Sequence, residues 1–293
     1  MKTSDYIAKF LHEQGVTVVY EMIGGMITRL VDSLHQNGKF VIVSMHHEQA
    51  AGFAAEGWAR MQGVPGVAMA TSGPGATNLV TAIGSCYFDY TPVVFITGQV
   101  NTHEMVKNKA IRQQGFQETD IVSIVRPITK ATWQALDAQD LPHIMAEAFR
   151  TAMTAPRGPV LIDIPMDVQA RDISDFPSPA ALNICTAGNH EVRSAWIEQF
   201  LADLRLSSRP IIMAGGGIRS AGAAGAFQSF IDATHIPVVE SLMGLDALPY
   251  THPCRVGFIG TYGNRWANKA LMQSDLVLVL GARLDVRQTG AQE

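Results

Sequence analysis

Two stretches of the sequence combine polar residues and glycines in patterns that are typical of ligand-binding or catalytic sites. Glu48 follows the apolar run Phe40 to Val43 and begins an alanine-rich stretch that is typical of a helix. Thr71 to Asn78 joins a second apolar run to another helical stretch through Gly73, Pro74 and Gly75. A glycine turn lets backbone N–H groups approach a ligand, and a helix N-terminus favours an anion. Each feature also has a purely structural explanation: Glu48 complements a helix dipole, and the glycines form a tight turn.

Other polar positions narrow the class of site. Gln99 ends a predicted central strand within Thr97-Gly98-Gln99-Val100. Gly215-Gly216-Gly217 follows a later strand, but Ser220 stands where a dinucleotide fingerprint needs its last glycine, which disfavours an NAD-linked enzyme. The turn at Gly73 lacks the Gly-Lys-Ser/Thr ending of a P-loop, which disfavours a nucleoside triphosphatase. His46 and His47 match no metal-ligand spacing, so we assign no metal ligand in this chain.

The elements that must position these residues alternate between strand and helix along the chain. This alternation predicts an α/β fold with a doubly wound parallel sheet covered on both faces. We expect a first domain over residues 1–167 and a linker over 168–190, where Pro177 and Pro179 lie. A second, partial Rossmann-like α/β domain is expected over 191–293. In both domains, ligands should bind at the carboxyl ends of the strands.

Composition excludes several functions. The chain has 293 residues and a net charge of −4, and it contains no basic stripe that would attract a nucleic acid. Cys86, Cys185 and Cys254 are widely spaced, which favours free thiols in a reducing compartment. Met61 to Phe88 carries no charge, but prolines and glycines divide it into strand, loop and helix rather than a membrane span. We therefore expect a cytoplasmic protein without membrane contact.

Five segments in order carry a family resemblance. They are HHEQAAGFAAEGWAR, TSGPGATNLVTAI, PVVFITGQV, FQETDIVSIVRPITK and RGPVLIDIPMDV. In wording and spacing they resemble the N-terminal, pyrimidine-binding domain of thiamine diphosphate (ThDP) enzymes of the acetolactate synthase type. The later segments resemble part of the central domain of the same enzymes. The resemblance covers nearly the whole chain, and five ordered motifs are far more specific than one.

The resemblance implies a role for each candidate residue of the first domain. The Glu48 carboxyl group would hydrogen-bond a ring nitrogen of the aminopyrimidine and promote its imino tautomer, and Gln99 would orient a keto acid. The implied cofactor contacts are Gly73, Pro74, Gly75 and Asn78. The implied residues of the substrate side are Gly25, Phe116 and Gln117.

In the second domain the resemblance implies contacts to FAD, which has a structural rather than a redox role in that family. The implied residues are Gly215, Gly216, Gly217, Met243, Gly244, Gly260, Gly263, Arg283, Asp285 and Arg287. Arg157 stands within a departure from the family's Gly-Arg-Pro-Gly-Pro segment, so we do not include it.

The implied reaction is decarboxylation of a 2-keto acid, with pyruvate as the donor, followed by attack on a carbonyl acceptor. Two departures from the family pattern lie on the acceptor side: Met22-Ile23-Gly24-Gly25 replaces Tyr-Pro-Gly-Gly, and the loop from Val100 to Phe116 is longer. These departures leave open an alternative acceptor, a keto sugar of cell-surface polysaccharide biosynthesis.

The family's Gly-Asp-Gly turn, which holds Mg2+ and the diphosphate, does not occur in these 293 residues. We therefore expect Mg2+ to be bound by a domain outside this chain, and the chain to have little activity alone. Its partners would be a small 2-keto acid and either a second copy of the chain or a separate diphosphate-binding domain, reached through the face with Glu48, Asn78, Gln99 and Phe116. A catalytically silent fragment that binds only a cofactor or a partner remains an alternative.

Overall fold

The computed structural model describes residues 1–106, 111–173, 178–182 and 194–290. Cys185, the loop residues 107–110 and much of the predicted linker lie outside the described residues. The chain divides into two compact units, Met1–Thr186 and Ala187–Glu293.

The first unit is built on a six-stranded parallel sheet. Its strand order is β2-β1-β3-β4-β6-β5, which confirms the predicted doubly wound parallel arrangement. The strands are β1 (Val18–Met22), β2 (Val41–Ser44), β3 (Gly66–Ala70), β4 (Val93–Gln99), β5 (Ala131–Gln134) and β6 (Val160–Pro165). Since β2 and β3 lie on opposite sides of β1, the order reverses there, and this reversal opens a crevice at the carboxyl edge.

Helices cover both faces of this sheet, so β3, β4 and β6 are buried along their whole lengths. Phe10, Leu30 and Phe149 pack on one face, and Leu79, Ile83 and Ile121 pack on the other. The helices are α1 (Thr3–Glu13), α2 (Thr28–Asn37), α3 (Glu48–Gln62), α4 (Pro74–Asn78), α5 (Val80–Phe88), α6 (Ile121–Val125), α7 (Leu141–Met153) and α8 (Met166–Ala170).

A short segment that follows α8 lies on α1. The Gln14 side chain donates from Nε2 to the Ala180 carbonyl at 2.9 Å and accepts at Oε1 from the Leu182 backbone N–H at 2.9 Å. Lys9 Nζ donates to Ser178 Oγ at 3.2 Å. Residues 178–182, which were predicted as linker, therefore contact the first unit.

The second unit has a four-stranded parallel sheet in the order β10-β7-β8-β9. Its strands are β7 (Pro210–Ala214), β8 (Val238–Glu240), β9 (Arg255–Phe258) and β10 (Leu276–Leu280). Its helices are α9 (Ser194–Leu206), α10 (Gly217–Ser220), α11 (Ala224–Thr234), α12 (Arg265–Gln273) and α13 (Val286–Thr289). The order reverses between β7 and β10, which places Gly215 at the crevice of this smaller sheet.

Across the described parts of the chain, no helix is both long enough and apolar enough to span a bilayer.

Candidate functional site

The first candidate site lies at the carboxyl edge of the larger sheet. The turn after β2 ends at Glu48, the first residue of α3, and the turn after β3 contains Gly73 and Gly75. The turn after β1 contains Gly24 and Gly25. Because these three parallel strands are neighbours, their turns converge on the crevice at the point of strand-order reversal.

Glu48 is held in place by its neighbours. His47 precedes the helix in an extended conformation, and its Nδ1 accepts the Gln49 backbone N–H at 3.1 Å, which caps α3. Asn78 Nδ2 donates to Glu48 Oε2 at 2.8 Å, across thirty sequence positions. No described residue donates a hydrogen bond to Oε1, the other carboxyl oxygen. The structure therefore brings Glu48 and Asn78 together and leaves one carboxyl oxygen available.

The glycines of the turn after β3 allow a close approach to that carboxyl group. A Cβ atom at Gly75 would lie 3.2 Å from Glu48 Oε1 and 2.7 Å from Thr71 Cγ2. Gly73 has φ +63°, a conformation that side-chain-bearing residues rarely adopt. A Cβ atom there would lie 2.8 Å from Gln117 Cβ. The turn Gly73–Gly75, called the cradle below, therefore packs closely against Thr71, Glu48 and Gln117.

The segment after the loop borders this cradle. Phe116 is 75% exposed, and Gln117 has φ +60°, which is uncommon for a residue that is not glycine. Gly25 has open space where its Cβ would be. Gly25 is therefore an open position and Phe116 an exposed one near the crevice. Gln117 contacts Gly73 directly.

A carboxylate fixes the shape of this segment. Glu118 accepts the backbone N–H groups of Val106 at 2.6 Å, Gln114 at 2.9 Å and Gly115 at 3.1 Å. Desolvation raises the pKa of Glu118, but these three hydrogen bonds outweigh it and hold the pKa below the ordinary value. Sequence reasoning did not single out Glu118, because its partners are backbone groups.

Gln99 lies apart from this cluster, inside the sheet. Its side chain is 1% exposed, and its Nε2 donates to the Thr119 carbonyl at 2.8 Å and to Asp163 Oδ2 at 3.0 Å. Asp163 is fully buried, and desolvation raises its pKa to about 6. The structure does not place Gln99 in contact with Glu48. Asp163 was missed, although a single carboxylate within the apolar run Val160 to Ile164 is a usable signal.

The second candidate site lies at the carboxyl edge of the smaller sheet. The Gly215 N–H donates to the Leu280 carbonyl at 2.8 Å, and the Gly217 N–H donates to the Gly281 carbonyl at 2.9 Å. A Cβ atom at Gly217 would lie 2.7 Å from Gly281 Cα, and one at Gly216 would lie 3.0 Å from Met243 Cβ. Three of the proposed contacts, Gly215, Gly216 and Gly217, therefore pack tightly against neighbouring chain.

The remaining predicted contacts of this unit lie in nearby turns. Asp285 Oδ1 accepts the Arg287 N–H at 3.0 Å, and Asp285 Oδ2 lies 3.5 Å from Arg283 Nη2. The Arg287 guanidinium lies 5.9 Å from the centre of the Tyr262 ring. The other predicted contacts are turn glycines near these groups: Gly244 closes on Ala214, Gly260 has φ +106° and lies near the Arg287 carbonyl, and Gly263 packs on Ile259.

Comparisons with known proteins identify the family of the chain. Residues 1–124 match the family described as the thiamine pyrophosphate enzyme N-terminal TPP binding domain, and residues 197–293 match its central domain. The chain therefore belongs to the thiamine pyrophosphate enzymes, which confirms the resemblance found in the sequence.

Within that class the chain is similar to acetolactate synthase large subunits of several organisms. It is 38% identical over 287 residues to the acetolactate synthase large subunit of Lactococcus lactis, covering 97% of this chain and 48% of that protein. It is 38% identical over 290 residues to the acetolactate synthase isozyme 1 large subunit of Escherichia coli, covering 99% and 50%. A probable acetolactate synthase large subunit of Methanocaldococcus jannaschii is 37% identical, covering 99% and 48%. The chain thus spans about half the length of these relatives.

Proposed function

We propose that this chain provides the pyrimidine-facing half of a thiamine diphosphate site in an acetolactate synthase-like carboligase, with pyruvate as the 2-keto acid donor. The observation that carries the proposal is the Glu48 carboxyl group at the first residue of α3, oriented by the Asn78 amide at 2.8 Å. The similarity to acetolactate synthases favours a keto acid over a keto sugar as the acceptor. The wide cysteine spacing favours a location in the reducing cytoplasm.

The residues of the cradle fit an aminopyrimidine ring. A flat ring needs backbone without side chains on one side, and glycine at positions 73 and 75 keeps this turn free of side chains beside Glu48 Oε1. A ring nitrogen needs a hydrogen-bonding partner, which the oxygen that Asn78 leaves available can supply. When bound, thiamine diphosphate supplies the electron sink for decarboxylation of the 2-keto acid.

The chain's own residues then have distinct tasks. Glu48 holds or releases a proton at Oε1, while Asn78 keeps the carboxyl group from rotating away from the cradle. Gly73, Pro74 and Gly75 set the distance between the ring and the carboxyl group. Gly25, Phe116 and Gln117 border the side from which the keto acid enters. Positioned acid–base groups of this kind contribute about 10²–10⁴-fold to a rate.

The diphosphate and its Mg2+ need a second set of ligands. Hard cations that bridge phosphates bind oxygen ligands, and the Gly-Asp-Gly turn that would provide them is not among these 293 residues. We propose that a diphosphate-binding region outside these 293 residues completes the site at the face with Glu48, Asn78 and Phe116. The length of the relatives, about twice that of this chain, supports such a region.

We further propose that the second unit binds a flavin dinucleotide in a structural role. The support is a crevice at the strand-order reversal, with Arg283 and Arg287 in its turns. The N–H groups of Gly215 and Gly217 already donate to carbonyls, so the arginines would carry the phosphate contacts. Binding can be followed by the fluorescence polarisation of added flavin, which rises when the flavin is bound. We expect Arg287→Ala to abolish this rise and Arg205→Ala, on α9, to leave it unchanged.

Calorimetric titration tests the main proposal. The chain is titrated with thiamine diphosphate and Mg2+, first alone and then with the diphosphate-binding region of a relative supplied. We expect weak binding alone, tight binding with the added region, and a loss of at least tenfold in affinity for Asn78→Leu. Gly57→Ala, which alters an open position of the same helix as Glu48, serves as the matched control. Equal affinities for all three proteins would contradict the proposal.

A further inference from the structure

A buried carboxylate in the first unit has no part in the proposed reaction. Asp163 lies on β6 and is fully buried, and its carboxyl oxygens accept hydrogen bonds from three side chains. The donors are Thr97 Oγ1 at 2.7 Å, Gln99 Nε2 at 3.0 Å and Gln134 Nε2 at 3.2 Å. Burying a carboxyl group is costly unless it is hydrogen-bonded, and these donors offset that cost.

Both N–H groups and the oxygen of the Gln99 amide make hydrogen bonds within the protein. One N–H of its Nε2 donates to Asp163 and the other to the Thr119 carbonyl, while its Oε1 accepts the Val100 N–H at 3.1 Å. A primary amide has two N–H donors, so none remains for a keto acid. Gln99 therefore acts on the site through Thr119.

Thr119 ends the segment Phe116–Thr119 that borders the cradle. Gln117, two residues earlier, has φ +60° and contacts Gly73 of the cradle. A residue in that conformation stays there only when its surroundings hold it. The holding groups are the Gln99 amide on the Thr119 carbonyl and the Glu118 carboxylate on Val106, Gln114 and Gly115.

We propose that Gln99 and Asp163 are positioning residues: Asp163 orients the Gln99 amide, which holds the segment Phe116–Thr119 against the cradle at Gly73. The proposal rests on the proposed function in one respect, namely that this segment borders the keto acid. Gln134 donates to the same carboxylate from β5 but has no hydrogen bond to the segment, which makes it the matched control.

Two readouts test the proposal. The first is hydrogen exchange at the Gly115 and Glu118 amides, which donate to Glu118 Oε2 and to the Gly115 carbonyl. The second is KM for pyruvate in the protein supplied with a diphosphate-binding region. Gln99→Met removes the amide at similar volume, Asp163→Leu removes its orienting group, and Gln134→Met removes a hydrogen bond to the same carboxylate.

We expect Gln99→Met and Asp163→Leu each to speed exchange at both amides by roughly tenfold and to raise KM more than they lower kcat. The double variant should match either single variant, because both act on one linkage. Asp163→Asn should restore slow exchange, since its Oδ1 can accept both amides while its Nδ2 donates to Thr97 Oγ1. Gln134→Met should leave exchange and KM unchanged.

Unchanged exchange in Gln99→Met would overturn the proposal, even if KM rises, because that result indicates direct contact with the substrate. Additive effects of Gln99→Met and Asp163→Leu would also overturn it. If Asp163→Leu does not fold, Gln99→Met and Asp163→Asn still decide the outcome by exchange. If the wild type turns over no 2-keto acid, the proposed function fails, while the exchange results still test the positioning role.

Discussion

Two glycine turns of this chain occupy equivalent positions in their sheets, but their glycines have different neighbours. Both follow a parallel strand at a strand-order reversal, one at Gly73–Gly75 and the other at Gly215–Gly217. At the first turn the space left by glycine faces side chains, among them Glu48, Thr71 and Gln117. At the second turn most of that space is filled by the backbone of Gly281 and Ala282.

A glycine turn at the end of a strand can therefore have either of two physical roles. Where the missing Cβ would meet side chains of the proposed ligand site, as at Gly75, substitution should alter binding. Where it faces backbone, as at Gly215 and Gly217, glycine lets two chain segments approach, and substitution should alter stability. We therefore propose that the first turn is part of the cofactor site, while the second chiefly shapes the crevice beside it.

The largest expected effect is at Glu48, the side chain that distinguishes the first turn. Glu48→Gln keeps the shape of the side chain but removes its acid–base function. With the diphosphate-binding region supplied, we expect 2-keto acid turnover to fall by about 10²–10⁴-fold, while the melting temperature changes little. Turnover within a few fold of wild type would remove Glu48 from the chemistry and end the contrast between the two turns.

The next effect concerns Asp163 and the pH dependence of stability. Its pKa is raised from 3.8 to about 6 in the folded chain, so the folded state binds a proton more tightly than the unfolded state. The stability that this group contributes is fully present below pH 3.8 and is lost as the pH rises through about 6.

Asp163→Asn should remove that dependence. A shift of about two pKa units corresponds to about 3 kcal/mol, so the free energy of unfolding of the variant relative to wild type should rise by that order between pH 4 and pH 7. Urea titrations at several pH values measure this difference. A difference that is constant with pH would show that Asp163 is ionised throughout.

A smaller effect on stability is expected at the second turn. In Gly215→Ala the new methyl group overlaps the Gly281 carbonyl oxygen, and backbone cannot move aside cheaply. We expect the second unit to lose about 1–3 kcal/mol, measured by denaturant unfolding. Gly225→Ala on α11, where nothing lies within 4 Å of the new atom, should instead be neutral or gain about 0.5–1 kcal/mol. Equal results for the two variants would remove the backbone explanation.

The smallest effect is on binding at the first turn. In Gly75→Ala the methyl group meets Thr71 Cγ2 and approaches Glu48 Oε1, both of which are side-chain atoms that can shift. We expect stability to change little and thiamine diphosphate affinity to fall by about tenfold, or about 1.4 kcal/mol. Gly57→Ala on α3 is the control with an unchanged affinity. A loss of stability without a loss of affinity would make the two turns alike.

Local features of the fold could be predicted from the sequence. The start of α3 at Glu48 and the turn at Gly73–Gly75 follow from apolar periodicity, glycine and proline, which act within a few residues. The strand β5 was not predicted, because Ala131–Gln134 is short, only partly buried and half polar. The strand β9 was also missed, since Arg255 and Gly257 interrupt its apolar pattern.

The site itself was only partly predictable, for a related reason. The Asn78–Glu48 hydrogen bond joins residues thirty positions apart, and the bonds from Gln99 reach residues twenty and sixty-four positions away. Such contacts depend on strand order, which periodicity does not determine. The sequence therefore placed Gln99 at the correct edge of the sheet, but it could not show that Thr119 and Asp163 occupy its amide.

The most direct test of the central claim is whether Glu48 recognises the ring nitrogen of the cofactor. The measurement compares the affinity of thiamine diphosphate with that of an analogue in which that ring nitrogen is replaced by C–H, in wild type and in Glu48→Ala. Wild type is expected to prefer the natural cofactor, and Glu48→Ala is expected to bind both molecules equally. The same preference in both proteins would show that Glu48 does not contact the ring nitrogen.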